Sequence, residues 1–440
     1  MTNIVKPSIL AGFMELLPQE QIQFNKMKDT IRRTYESFGF LPLDTPVMEK
    51  ADVLLAKGGG ETEKQVYRFE KGKSDIALRF DLTVPLARYV AQHYSELSFP
   101  FRRYHIAKVY RGERNQRGRF REFYQCDIDI IGDRKLAIIN DAEIPAIIYN
   151  VFKNLEIGDF TIRINNRKLL KGFYGSLGIE DSTYVLRIID KMEKIGLENV
   201  KLELKDLGLD DSSIEAIIKF LEISGSNLEK IKALKDLNIE NETFLEGLDE
   251  IEKVFEYLKL FNVPEANTEF DLTIARGLDY YTGTVYETKL NDHPEIGSIC
   301  SGGRYDNLAS HYTKQSLPGV GISIGLTRLF YQLQEAGIIK TEKNILTDLL
   351  IIPFEGFEPN AIELLSALRK EGVTGFINAE AGKLGKKMKY ADDLNIKYTI
   401  LIGQDEVDEG KYMLRNMETG DQEKLSVDEI IACIKKEKMI

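Results

Sequence analysis

The sequence is notable first for what it does not contain. No apolar run approaches the ~20 residues that a membrane-crossing helix requires. The opening "MTNIVKPSIL" has no basic stretch followed by an apolar one, so a secretory signal is not expected. Three cysteines, Cys126, Cys300 and Cys433, stand far apart with no CxxC pair and no disulfide framework, which fits a reducing, cytoplasmic setting. Four histidines, His93, His105, His293 and His311, are scattered and none has metal-ligand spacing, so no protein-held metal is expected. No GxSxG motif occurs and no cysteine has a histidine nearby in sequence, which argues against a serine or cysteine nucleophile. A formal net charge of −11 excludes a uniformly basic nucleic-acid binder. It leaves room for a large RNA docked on local basic patches, with the acidic surface suppressing non-specific contacts.

What remains is ordinary globular text. At about 100–200 residues per domain, 440 residues imply several domains. Residues 19–38 repeat Phe24, Met27, Ile31, Tyr35 and Phe38 at helical spacing and stop at Gly39. "FLPLDTPVMEK" carries Pro42 and Pro46 and reads as an extended edge segment. From about 66 to 132 the chain is strand-rich with short polar connections, which favours an antiparallel sheet. "DAEIPAIIYNVFKNL" reads as a helix and "FTIRINN" as a strand. Residues 167–262 become amphipathic helical segments, among them "STYVLRIIDKMEKIG" and "LDEIEKVFEYLKLF". Strand text returns at 268–290, with "FDLTI" read as a buried strand. After "TEKNILTD", a linker, strands and helices alternate, implying a small α/β domain with a mostly parallel sheet.

Four stretches could carry chemistry. "REFYQCDIDIIG" alternates, setting Phe123, Gln125, Asp127 and Asp129 on one face and Tyr124, Cys126, Ile128 and Ile130 on the other. The polar face is either a solvated outer surface or the floor of a pocket for a cationic ligand. "VYRGERNQRGRFRE" gathers Arg111, Arg114, Arg117, Arg119 and Arg121 around two glycines, suited to phosphate oxygens or simply to an exposed hairpin tip. "GVGISIGLTRLF" reads as a strand whose Gly319, Gly321 and Gly325 admit a close neighbour, followed by a helix carrying Arg328. "ARGLDYYTGTVYE" crowds Arg276, Asp279, Glu287 and three tyrosines beside two glycines. By contrast "KGKSD" lacks the upstream glycine of a phosphate-binding loop, Tyr67 standing in its place. "KGGGETEK" reads as a flexible loop, and "GGRYD" carries no chemistry that stands alone.

Together these stretches resemble the histidyl-tRNA synthetases, a class II aminoacyl-tRNA synthetase family, along the full chain. "ARGLDYYTGTVYE" matches the two histidine-specific signatures, "VYRGERNQRGRFREFYQCDIDIIG" motif 2, "GVGISIGLTRLF" motif 3, and the first helix with "FLPLDTPVMEK" motif 1. The arginine followed by a double tyrosine is specific to the family, whereas motifs 2 and 3 indicate only the class. The resemblance implies an α/β fold with an α+β catalytic core, an antiparallel class II sheet flanked by helices, over 1–166 and 263–337. It implies a helical insertion at 167–262 that clasps the acceptor stem, a linker at 338–347, and an anticodon-binding-like domain at 348–440, whose Lys383, Lys386, Lys387 and Lys389 could contact phosphate.

The implied reaction activates L-histidine with ATP to histidyl-adenylate and passes histidine to the 3′-terminal adenosine of its tRNA. Matched position by position, Arg111 and Arg328 are the ATP-binding arginines, Glu113 sits beside adenine and Phe123 stacks on it. Arg276 is the catalytic arginine at the α-phosphate. Mg2+ arrives with ATP through the phosphates. Asp81 and Thr83 in "RFDLT" match the positions that hold the α-amino group, with Gln125 nearby, and Leu82, Arg111 and Arg276 count among the histidine-binding positions. Asp129, Tyr280 and Tyr281 read the imidazole. Arg114, Gln116, Arg117 and Arg119 meet the tRNA acceptor end, and the partner set is completed by a second copy in a homodimer. Two departures stand out: many bacterial members read R-P-E-G-T where this chain has "RFDLT", and Ser301 replaces a glycine before "GGRYD". A synthetase-like regulatory subunit of the phosphoribosyltransferase opening histidine biosynthesis is a rival reading, but such paralogues lack the terminal domain and parts of the signatures. A tRNA-sensing module without catalysis would tend to lose Arg111 or Arg328, and both stand here.

Overall fold

A computed structural model describes residues 4–56, 61–114, 118–274, 281–340 and 346–438. The chain forms two compact units, Met1–Glu15 with Asn25–Ile339, and Leu16–Phe24 with Lys340–Ile440.

The part of the helix Pro18–Ser37 that belongs to the larger unit buries Met27, Ile31 and Tyr35, and Gly39 takes the left-handed conformation just beyond it. β1 (Leu41–Pro42) pairs in parallel with one edge of the main sheet, which agrees with the edge segment expected from Pro42 and Pro46 in this stretch. β2 (Met48–Lys50), β3 (Arg68–Lys71) and β4 (Ser74–Leu78) make a separate antiparallel three-stranded sheet. "KGKSD" is the turn between β3 and β4, with Gly72 at positive φ.

The main sheet is completed by β5 (Phe101–Tyr110), β6 (Glu122–Ile131), β7 (Phe160–Asn166), β8 (Thr268–Phe270), β9 (Thr284–Leu290), β10 (Ser298–Tyr305) and β11 (Gly319–Gly325). Its order is β1-β5-β6-β11-β10-β9-β7-β8. The six central strands pair antiparallel, and only the two short edge strands run parallel to their neighbours. "FDLTI" is buried but only Phe270 belongs to a strand. Asp271 accepts from the amide and hydroxyl of Thr273, at 2.8 and 2.6 Å, and that local bond turns the chain out of the sheet.

The sequence reading misses several helices, among them Thr83–Gln92, Glu61–Gln65, which begins inside the "KGGGETEK" read as a flexible loop, Gln404–Glu409 and Val427–Lys438. Thr83–Gln92 follows "RFD" directly and buries Val84, Leu86, Ala87 and Val90. Pro85 lies in its first turn, where backbone N–H groups have no intrahelical acceptor, so its missing donor does no harm.

Between β7 and β8 the chain is helical. "STYVLRIIDKMEKIG" is two short helices, Thr183–Ile189 and Met192–Ile195, not one. Asp210, Ser226 and Asn241 cap the helices Asp211–Leu221, Asn227–Asp236 and Glu242–Leu260. The last of these crosses Arg167–Ser176 at a contact only glycine permits. A Cβ on Gly172 would meet the Phe244 amide at 2.2 Å, and one on Gly247 the Leu169 amide at 2.3 Å.

The smaller unit holds β12 (Leu349–Pro353), β13 (Gly375–Ile377), β14 (Tyr398–Ile402), β15 (Tyr412–Asn416) and β16 (Gln422–Leu425), in the order β13-β12-β14-β15-β16. The first three are parallel, as the strand–helix alternation implies. β15 and β16 join antiparallel, because the turn between them, with Gly420 at positive φ, is too short for a crossover. Both faces of the sheet are apolar. Leu349 and Ile351 pack with Leu364, Leu368 and Ile430 on one side; Leu350 and Ile352 pack with Ala391 and Ile396 on the other. Among the described residues, no helix is long and apolar enough to cross a membrane.

Candidate active site

The alternation of β6 builds the site. Cys126, Ile128 and Ile130 are buried in the core, while Phe123, Gln125, Asp127 and Asp129 line a cavity of about 580 Å³. The polar face is therefore a pocket floor and not an outer surface: Asp127 and Asp129 are only 2% and 3% exposed. The same cavity receives Asp81 and Thr83 from the start of the helix Thr83–Gln92, Arg111 and Glu113 from the end of β5, Arg119, Tyr281, Glu287 from β9, and Arg328 from the helix Leu326–Glu335. Segments far apart in sequence thus converge on one concave polar surface.

Each side chain is held by identifiable bonds. Arg111 donates Nε–H to the Phe80 carbonyl at 2.9 Å, and its guanidinium lies 5.2 Å from the centre of the Phe123 ring. Glu113 pairs with Arg119 at 3.6 Å. Arg328 donates to the Ile296 carbonyl at 3.1 Å and to Gln332 at 3.2 Å. Asp81 accepts from the Val84 amide at 3.0 Å, so its carboxylate also caps the helix it precedes. Leu82 points away from the cavity into a cluster with Ala107 and Val109, and its carbonyl accepts from Arg103 at 3.2 Å.

Asp129 is doubly anchored. Oδ1 accepts the Tyr305 hydroxyl at 2.6 Å and Oδ2 pairs with the fully buried Arg103 at 2.6 Å. Gly321, on the strand beside it, makes this possible, since a Cβ there would lie 2.3 Å from Asp129 Oδ1. Gly319 similarly makes room for the Tyr305 ring. These motif 3 glycines accommodate the pocket's own side chains, while Gly325 faces open space in the cavity wall.

Burial shapes the titration of this floor. It pushes Asp127 up to about 7 and Asp129 up to about 6, in each case against the pull of Arg103. Burial also raises Asp81, opposed by its bond to the Val84 amide and by Arg111. His105, beneath the floor, is driven down to about 3 by burial and by Arg103, despite its 2.8 Å bond to Asp44.

The arginine-rich loop divides. Arg111 and Arg119 face the cavity, Arg114 is exposed away from it, and Arg121 ties the loop back by donating to the Glu113 carbonyl at 3.1 Å. Gln116, Arg117, Arg276 and Tyr280 lie outside the described residues. Both flanks of 275–280 are anchored: Asn165 donates to the Ile274 carbonyl at 3.0 Å, and the Thr282 amide donates to the Arg304 carbonyl at 2.8 Å. Glu287, which sequence left without a role, meets Arg163 at 3.2 Å; Arg163 also pairs with Asp271. The sequence does not announce the two side chains that hold Asp129 in the floor. Tyr305 lies in "GGRYD", a stretch set aside as inert, and Arg103 shows itself only if the alternation of "FRRYHIAKVY" is carried across to its partner strand.

Residues 12–329 match the family model described as histidyl-tRNA synthetase, and residues 348–437 that of the anticodon binding domain. A protein of Clostridium tetani (strain Massachusetts / E88) named histidine–tRNA ligase is 64% identical over 98% of this chain and 99% of its own. The crystal structure of histidyl-tRNA synthetase from Nostoc sp. PCC 7120 superposes with a TM-score of 0.91 at 42% identity, covering 99% of this chain and 100% of that one. A Bacillus halodurans C structure titled ATP phosphoribosyltransferase regulatory subunit/histidyl-tRNA synthetase has a TM-score of 0.74 at 22% identity, covering 88% and 97%, a likeness of fold alone. With the motif residues gathered in one cavity and the match running nearly end to end, the chain belongs to the histidyl-tRNA synthetase family.

Proposed function

We propose that the chain is a histidine–tRNA ligase that forms histidyl-adenylate from L-histidine and ATP and then aminoacylates its tRNA. The carrying observation is the convergence of Asp81, Thr83, Arg111, Phe123, Gln125, Asp129, Tyr281 and Arg328 on one cavity. In the first step a histidine carboxylate oxygen attacks the α-phosphorus of ATP in line and pyrophosphate leaves. In the second, a ribose hydroxyl of the terminal adenosine attacks the adenylate carbonyl and AMP leaves. Neither step needs a protein nucleophile; both need alignment and neutralisation of phosphate charge. Arg111 and Arg276 face the α-phosphate, Arg328 the γ-phosphate, and Glu113 and Phe123 the adenine. Mg2+ is carried in on the ATP phosphates as part of the substrate.

Asp81, Thr83 and Gln125 take the amino end of histidine, with the Leu82 backbone between the first two. Asp129, Tyr280 and Tyr281 hydrogen-bond the imidazole. A site satisfied only by a ring with two nitrogens can reject apolar isosteres by ~10⁴-fold without editing. Arg114, Gln116, Arg117 and Arg119 meet the acceptor end, and the helical segment 167–262 clasps the stem. The unit beyond residue 348 reads the anticodon, with Lys383, Lys386 and Lys389 exposed on or beside the helix Leu384–Asp393. The working form is a cytoplasmic homodimer.

Histidine-dependent exchange of pyrophosphate into ATP tests the reading. The wild-type protein is expected to exchange, and Arg111→Ala to slow exchange by about 10²–10³-fold, as for loss of a preorganised electrostatic donor. Histidine binding without exchange in the wild type would show that the cavity is a sensor and not an active site.

A further inference from the structure

Five buried polar atoms with no hydrogen-bond partner among the described residues gather beneath and in the cavity floor. They are Nε and Nη1 of Arg103, Nδ1 of His105, Oε1 of Gln125 and Oδ1 of Asp127. The register of β5 on β6 sets Arg103 opposite Asp129, His105 opposite Asp127 and Ala107 opposite Gln125. Directly paired residues share a face, so these atoms are neighbours. Native interiors leave few such groups unsatisfied, and a local cluster marks a surface completed by something polar.

The three carboxylates of the floor are not equally engaged. Asp129 has both oxygens taken, by Tyr305 and Arg103. Asp81 spends Oδ1 on the Val84 amide. Asp127 meets Ser323 through its carboxyl but leaves Oδ1 without a partner, although the side chain is 2% exposed and lines the cavity. Asp81 bears electrostatically on both Asp127 and Asp129, so the three act as one acidic field, answered from the protein by Arg103 and Arg111. Of the two further carboxylates at the cavity, Glu287 is already paired with Arg163 and Glu113 with Arg119. A cation is the missing element. Its place is set by strand geometry: side chains two apart on one face are about 7 Å apart, so Asp127 stands midway between Gln125 and Asp129.

We propose that Asp127 is a further substrate-binding residue, whose open Oδ1 accepts a hydrogen bond from the α-ammonium of the bound amino acid and supplies its counter-charge. This rests on the reading of the cavity as the histidine site. Asp81, with Oδ1 committed to the Val84 amide, then shares the ammonium instead of holding it alone. The ring nitrogens are left to the remaining lone pairs of Asp129 and to Tyr281.

Calorimetric titration of the full chain with L-histidine, histamine and imidazolepropionate separates the possibilities, because the last lacks the ammonium. Asp127→Asn is expected to weaken L-histidine and histamine alike by about 10-fold or more, as for loss of a charge-assisted bond. It should leave imidazolepropionate and the KM for ATP within ~2-fold, the range expected of untouched contacts. Asp127→Glu, which keeps the charge, should retain the preference for histamine over imidazolepropionate even if Asp127→Asn does not fold. Unchanged histidine affinity in Asp127→Asn overturns the assignment. So does imidazolepropionate weakened as much as histidine, or histidine and ATP weakened together. If the wild type binds neither histidine nor histamine, the substrate reading itself fails, and that outcome is visible without any variant.

Discussion

The two larger sheets of this molecule solve burial in opposite ways. In the smaller unit β12 is buried on both faces, and its "LLIIP" is apolar without interruption. In the larger unit β6 is buried from Gln125 onward, yet every second residue from Gln125 to Asp129 is polar or charged. A buried apolar face adds stability and does no chemistry. A buried polar face is costly unless each group is paired, so its persistence signals a ligand. The contrast, more than the presence of either sheet, locates the site.

Removing Arg103 breaks this comparison hardest. Arg103→Met keeps the volume but strands the Asp129 carboxylate, and loss of one partner of a buried pair destabilises by about 3–5 kcal/mol. Asp129, already raised to about 6, can take a proton, which pulls the loss toward the lower end. The expected outcome in a thermal scan is a large drop in the transition of the larger unit, with histidine binding abolished. Adding Asp129→Asn should recover part of the stability and none of the binding. Recovery of both would mean that the pair is structural only.

That pair also shows what could be read from the chain. The face carrying Gln125, Asp127 and Asp129 was legible because a strand alternates over consecutive residues, and period two is a local property. So were the helix Pro18–Ser37, β5 and β7, each a run with its own periodicity. The helix Thr83–Gln92 was not, because Pro85 near its start masks a helical pattern that the capping carboxylate of Asp81 in fact begins. Arg103 and Tyr305 reach Asp129 only through strand pairing, Tyr305 from 176 residues away, and no local pattern reports a register of that range. The resemblance to a family names the residues proposed to touch substrate. It does not name those that hold them.

The opposite variant belongs in the apolar sheet. Ile351→Ala opens a cavity in a fully buried position and is expected to destabilise the smaller unit by about 2–5 kcal/mol. Pyrophosphate exchange should stay within ~2-fold of wild type, the independence expected of sites that share no partners, while charging of tRNA falls as the unit unfolds. Denaturation followed alongside both activities checks it. A parallel loss of exchange would mean that the two sheets do not divide stability and chemistry as described.

The smallest effect concerns His105, where the polar sheet has opposing titrations. Burial lowers His105 to about 3, from an ordinary value near 6.5, so the folded state binds fewer protons there than the unfolded chain. Its contribution is present above about 6.5 and is lost as pH falls toward 3. Asp127 and Asp129 run the other way. Raised to about 7 and about 6, they bind protons more tightly when folded, and their contribution is full below about 4 and lost as pH rises through those values. Between about pH 4 and 6.5 the trends offset each other. His105→Asn removes one of them and leaves the carboxylates. It forfeits the bond to Asp44, an offset that holds at neutral pH. As pH falls from 6.5 to 4, the wild type is then expected to lose its advantage over the variant by about 1.4 kcal/mol per pH unit at most. Melting curves of both proteins across that range give the difference directly. A constant gap would mean that His105 titrates as it does in the unfolded chain, and that the floor of the site is far wetter than its burial implies.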